Sequence, residues 1–163
     1  MKLLHLSVYL VMVTGSAAAQ KVPNFSDHPA KVEKPHIQKI DFKLNPDARS
    51  FRTRLSEALK GGVNFAGHFV VAGWGCGTGC TNAAVIDTFT GKIYWPDQFY
   101  NVDATYGDSY SDVQLDFKQN SRLLIIHGRP GTQKESGFAG PPGDYYYEWS
   151  NNQFRLITSV PKK

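Results

Sequence analysis

Residues 64–95 read NFAGHFVVAGWGCGTGCTNAAVIDTFTGKIYW, and this stretch decides the fold. In an extended chain Phe65, Phe69 and Val71 fall on one side, and Ala66, Val70, Ala72 and Trp74 on the other. Residues 65–74 therefore predict a strand that is apolar on both faces. Such a strand belongs inside a domain, not at its margin. Gly73, Gly75, Gly77 and Gly79 then alternate with Trp74, Cys76, Thr78 and Cys80. If this run stayed extended, the two cysteine α-carbons would stand about 13 Å apart, at roughly 3.3 Å per residue. A disulfide requires about 7 Å or less. Either the cysteines are unpaired or Gly77-Thr78-Gly79 turns sharply, and glycine accepts the positive φ of a turn without steric cost. The expectation is a Cys76–Cys80 disulfide. So short a ring contributes about 2 kcal/mol in the loop-entropy account, and its larger effect is to fix the shape of the turn.

Working outward, residues 83–87 and 92–95 flank Thr88-Phe89-Thr90-Gly91 as a hairpin. Val113, Leu115 and Phe117 alternate with Gln114, Asp116 and Lys118, and Asn120-Ser121 turns that strand into the apolar run 122–127. Residues 145–149 and 153–160 form a last hairpin around Ser150-Asn151-Asn152. On the other side, residues 46–60 predict the single helix. Asn45 is placed to cap it, Pro46 suits the first helical position, and Asp47 faces the positive end. Ala48, Phe51, Leu55, Ala58 and Leu59 make its apolar stripe, and Gly61-Gly62 ends it. Arg49, Arg52 and Arg54 take the solvated face. Residues 36–44 alternate as a half-exposed strand, and 20–35, with Pro23, Pro29 and Pro35, read as an extended, mobile leader. Strands that arrive in pairs without helices between them predict an antiparallel sheet. The expected fold is α+β: an antiparallel β-meander of about six to eight strands, curved or partly closed, with one N-terminal α-helix packed on it. Residues 36–163 form this one domain, and no internal repeat suggests a propeller.

Residues 1–19 carry Lys2, an apolar run over 3–13 and the small residues Ala17-Ala18-Ala19. This is the pattern of a secretory signal peptide, too short for a membrane span. Its removal from the 163 residues leaves 144, enough for one domain with a real core. The expected location is periplasmic or secreted, with no membrane span after signal removal. The net charge of +4 falls by the loss of Lys2 alone and is scattered, which argues against a nucleic-acid partner. Two cysteines in an exported chain point to a disulfide.

NFAGHF, WGCGTGC and IDTFTGKIYWP together resemble a group of small exported bacterial proteins that share a NFAGHY…WGCGTSC…TGK pattern. The similarity is specific over about 60–96 and weaker near Tyr145-Tyr146-Tyr147-Glu148-Trp149. It implies an exported single domain and supplies no catalytic residue. Here Phe69 stands where the pattern has Tyr, and Thr78-Gly79 where it has Thr-Ser, so two of its hydroxyls are missing.

Several residues could carry chemistry. Cys76 and Cys80 have the spacing of a zinc pair, but no second Cys/His pair follows, so no metal is expected. A redox dithiol would be C-x-x-C beside a βαβ unit, which is absent. His68 shares its predicted strand face with Ala66, Val70, Ala72 and Trp74. It could be a general base or a ligand donor, or a core histidine bonded to a backbone carbonyl. The glycine run is neither a P-loop nor a dinucleotide fingerprint, and no cofactor is expected. The connection 96–112 holds Asp97, Asp103, Asp108 and Asp112 with Phe99, Tyr100, Tyr106 and Tyr110, a mixture suited to carbohydrate or calcium, although the D-x-D-x-D-G pattern is missing. The connection 128–144 is long and rich in Gly and Pro, with Arg129 and Phe138 as its candidates. Two functions follow. The first is a non-enzymatic envelope module, an inhibitor or accessory factor binding a protein or small-molecule ligand through Trp74, Gly77, Thr78, Arg129 and Phe138. The alternative is a small envelope hydrolase using His68 with a carboxylate such as Asp87 or Glu148.

Overall fold

The structure, a computed structural model, describes residues 21–162 apart from 38, 104, 107–108, 111–113 and 133–137. The expected signal peptide at 1–19 lies outside the described residues, as do Asp108, Asp112 and Val113. Strand β1 (Phe69–Gly77) pairs antiparallel with β2 (Cys80–Asp87), and β2 also pairs with β3 (Ile93–Tyr94) and β4 (Val102–Asp103). A short ladder joins β5 (Thr105–Tyr106) to β6 (Ser109–Tyr110). A second four-stranded sheet contains β7 (Leu115–Phe117), β8 (Leu123–Gly128), β9 (Gly143–Ser150) and β10 (Gln153–Pro161), in the order β10-β9-β8-β7.

Alternation along β1 determines how these layers stack. Val70, Ala72 and Trp74, with Ala84, Ile86 and Ile93, pack beneath Leu55 and Leu59 of the helix α1 (Arg52–Lys60). Phe69 and Val71, with Ala83 and Val85, pack against Leu124, Ile126, Tyr145, Tyr147 and Trp149 of the second sheet. The sequence assigned both sets of β1 side chains to these opposite faces. Val70, Val85, Leu124 and Ile126 are wholly buried, and each such side chain contributes about 1.5–3 kcal/mol. The outer face of the second sheet buries Leu123, Ile125 and Tyr146 beside Phe25 and Ile157.

The α+β, antiparallel character is as expected, but the meander is not one curved or partly closed sheet. It is two open sheets laid face to face. Both central hairpins are apolar on two sides, and a second sheet supplies the cover that closure would have given. The first strand also begins later than expected. Phe65 and Phe69 exchange backbone hydrogen bonds of 3.1 and 2.9 Å around a tight turn, with Ala66 at φ 44° and Gly67 at φ 88°. A side chain on Gly67 would collide with the Lys31 carbonyl oxygen.

Residues 36–44 form no strand among those described. The amides of His36 and Ile37 both reach the Thr88 carbonyl at 3.0 Å, and Ile40 is buried under the helix while Leu44 is exposed. The helix is likewise shorter than 46–60, since Pro46–Phe51 is a 3-10 segment that leads into α1. Asn45 does not cap it. Its side-chain amide donates to the carbonyls of Asp41 (3.0 Å) and Gly91 (3.1 Å), and its oxygen accepts from the Ile93 amide at 3.1 Å. Nor is the expected leader loose. Ala30 and Glu33 donate their amides to Asn120 and Gly67, and the buried Ser121 hydroxyl lies 2.9 Å from the Phe25 carbonyl and 3.0 Å from that of His28.

Candidate functional site

Asn45 has a consequence beyond its own hydrogen bonds, because it ties the 3-10 segment to the β2–β3 hairpin. Phe51 is thereby carried onto Trp74 and Trp95, with ring centroids 4.7 and 5.3 Å away. Trp74 and Trp95 are 6.1 Å apart and inclined by 78°. These rings, with Asn82, Ala83, Pro96, Phe99 and Tyr100, line a cleft of about 340 Å³, and Asp47 stands in its lining. The opposite wall is also fixed. The Asn82 side-chain oxygen accepts the Asn101 amide at 2.6 Å, and Asn101 takes φ 54°. This turn leaves Phe99 buried and Tyr100 half exposed, at 48%.

The two long connections meet behind that wall. Arg129 and Asp103 exchange backbone hydrogen bonds of 2.7 and 3.1 Å, and the Arg129 guanidinium pairs with the Asp103 carboxylate, Nε to Oδ2 2.9 Å. The same guanidinium lies 4.0 Å over the Phe138 ring. The Gly131 amide donates to Gln98, and a side chain at Gly131 would collide with the Tyr100 carbonyl. Arg129 and Phe138 thus meet each other, and their segment buttresses the cleft from outside without lining it.

Cys76 and Cys80 form the expected disulfide, with α-carbons 5.2 Å apart. Gly77 pairs with Cys80 at the end of the ladder, after a bulge, and Gly79 takes φ 67°. Thr78 is at the hairpin tip. Of the predicted binding residues, Trp74 is the one in the cleft wall. No group of three or more His, Cys, Asp or Glu able to hold a metal occurs among the described residues.

His68 is not on a strand face. It ends the turn before β1, with its side chain about a quarter exposed, and stacks on Phe89 at 4.1 Å and 6°. His36 stacks on Phe89 at 4.0 Å, so the phenyl ring lies against both imidazoles. The His68 Nε2 atom is 3.8 Å from Asp87 Oδ1, beyond hydrogen-bond distance. Asp87 is buried, and its carboxylate is engaged by the amides of Phe89 and Thr90 and the Thr90 hydroxyl, at 2.8, 3.3 and 2.8 Å. The other candidate acid, Glu148, meets Arg155 (2.6 Å), His28 (3.2 Å) and Arg122 (3.3 Å). The Arg155 hydrogen bond, with those from His28 and Arg122, holds the Glu148 carboxyl below its usual range against the opposing effect of burial. Asp144 is a similar case. Burial would raise it, but hydrogen bonds from Lys162 and His127, each 2.7 Å, hold it low.

Phe51, Trp95 and Asp47 were legible separately, as a stripe residue, a strand end and a helix-end charge. Their convergence depends on Asn45, whose type suggested a cap. Comparison with known proteins adds no further name: no family model, curated protein or solved structure matches this chain.

Proposed function

We propose that this chain is an exported, non-enzymatic binding module of the cell envelope, and that its ligand seats in the cleft of Phe51, Trp74, Trp95 and Tyr100. The carrying observation is the cleft itself: aromatic walls set at fixed angles, a few polar groups, and about 340 Å³ of open volume, within the range of small-molecule sites. Export is supported by the 1–19 sequence pattern and agrees with the disulfide, a bond at home in oxidising compartments. The hydrolase alternative needs His68 bonded to a carboxylate. Asp87 is spent on its turn, and Glu148 is spent on two arginines and His28. The partner is an envelope protein or a small molecule.

The reading is tested by affinity capture from envelope extract with the tagged mature protein and a Tyr100→Ala variant, since Tyr100 is exposed and its loss costs little stability. Wild type should retain a ligand that the variant releases. Equal retention by both would remove the cleft from the function.

A further inference from the structure

We infer that the protein carries a second site, apart from the cleft, that takes a compact ligand bearing two or more phosphate groups. It is a hollow of about 740 Å³ between residues 39–43 and the stretch from Arg49 to Ser56, and none of its lining residues lines the aromatic cleft. Lys39, Lys43, Arg49 and Arg52 stand in its wall with a single carboxylate, Asp41. All four cations are exposed, and none has an ion pair with a described residue. Other cations of the chain are treated differently: Arg122, Arg129 and Arg155 each meet a carboxylate. Asp41 is partly engaged by its own turn, since its Oδ1 accepts the Lys43 amide at 2.7 Å. The hollow is therefore positive on balance, and a bound anion relieves the repulsion among the four like charges.

The two guanidiniums are positioned by one residue. Arg49 Nε donates to the Phe42 carbonyl at 3.2 Å, and the Arg52 guanidinium lies over the Phe42 ring, 5.2 Å from its centroid. Phe42 is itself anchored, half-buried against the core that holds Ile40 and Leu55. Arg49 and Arg52 are three residues apart where the 3-10 segment passes into α1, a spacing that puts side chains on one face. The Arg49 bond uses Nε alone, so its terminal nitrogens have no hydrogen bond with a described residue. A guanidinium fork matches the oxygens of a phosphate two at a time, and lysine adds a mobile point charge. A phosphate monoester carries about −1.5 to −2 at neutral pH, so two of them balance four cations where a single carboxylate would not. Ser56 adds a hydroxyl to the lining. The volume is more than twice the cleft's 340 Å³ and suits a small ligand carrying both groups.

The test is calorimetric titration of the mature protein with pyrophosphate, inorganic phosphate, citrate and a single-stranded oligonucleotide, alongside co-sedimentation with phosphatidylcholine vesicles with and without phosphatidic acid. Pyrophosphate or the phosphatidic acid vesicles should bind saturably, and the tighter of the two identifies a soluble or a lipid source for the phosphates. In solution, inorganic phosphate and citrate should bind about tenfold more weakly than pyrophosphate. The double variant Arg49→Gln, Arg52→Gln should weaken binding about tenfold or more, and Lys39→Gln, Lys43→Gln by a smaller factor. The lysine pair also keeps the test decisive should the arginine pair lose stability with its Phe42 contacts. The control Lys34→Gln, Arg54→Gln removes the same charge from exposed positions outside the hollow and should bind like wild type. No saturable binding of either probe, an equal loss in the control, citrate held as tightly as pyrophosphate, or the oligonucleotide held more tightly would overturn the inference.

Discussion

The β1–β2 hairpin has two ends, and they treat similar residues in opposite ways. At the His68 end an aspartate, a threonine, a histidine and a phenylalanine lie together, and their polar atoms are largely consumed. Asp87 caps its turn, the Thr88 amide and hydroxyl both go to the His68 carbonyl, and Phe89 lies against two imidazoles. Toward the other end, Trp74 joins Phe51, Trp95 and Asp47 in a cleft where the carboxylate has no partner among the described residues. A carboxylate beside aromatic rings thus serves the fold where backbone amides hold its oxygens, as at Asp87. His68 is the more conspicuous titratable group in the sequence, but the polar atoms around it are largely taken up by the turn.

The sharpest way to break this contrast is Asp87→Ala. The substitution removes three hydrogen bonds and leaves the Phe89 and Thr90 amides short of their acceptor at a part-buried turn. Each such bond is worth about 1 kcal/mol, and a stranded donor costs more. We expect a loss of about 2–3 kcal/mol in urea denaturation, with ligand capture by the remaining folded protein unchanged. A variant as stable as wild type that has lost its ligand would move Asp87 from fold to site.

His68→Ala should be milder. The imidazole stacks on Phe89, but it is partly exposed and has no hydrogen bond at the Asp87 carboxylate, while the carbonyl that serves Thr88 is backbone and survives the substitution. A loss of about 1 kcal/mol follows from the stacking and apolar contact removed. Thermal melting checks it. Wild-type stability together with an abolished turnover would restore the hydrolase reading.

How much of this was visible in the chain depends on the range of each interaction. The opposed faces of β1, the β2–β3 and β9–β10 hairpins and the disulfide all follow from alternation or from a turn within five residues, and these the sequence predicts. The division into two sheets does not follow from such patterns. A strand apolar on both faces needs cover, but alternation cannot say whether a helix, a second sheet or the same sheet curling round supplies it. Residues 36–44 show the converse error. The buried Ile40 and half-buried Phe42 mimic strand periodicity while lying in irregular chain that packs near the helix. The cleft was hidden because its making depends on Asn45 reaching Gly91 and Ile93, more than forty residues away. Trp74 was legible as a candidate, but its companions were not.

The smallest effect expected concerns Glu148, the other carboxylate the hydrolase reading would use. Hydrogen bonds from Arg155, His28 and Arg122 hold its folded-state pKa below the ordinary value of 4.5. A carboxyl lowered on folding adds stability above its unfolded pKa and loses that contribution as pH falls through the folded value. The network should therefore support the fold at neutral pH and cease to do so below about pH 4.5, progressively as acid is added. Glu148→Gln removes the charge. At pH 7 it should cost no more than about 1 kcal/mol, because Arg155 and Arg122 are substantially exposed and screened by solvent. The decisive observation is the shape of the curve. Wild type and variant should differ most near neutrality and converge as pH drops through the acidic range, when denaturation midpoints are compared at each pH. A constant difference at all pH values would mean that Glu148 acts through packing alone. A variant of full stability whose captured ligand is lost would instead give Glu148 a part in ligand binding.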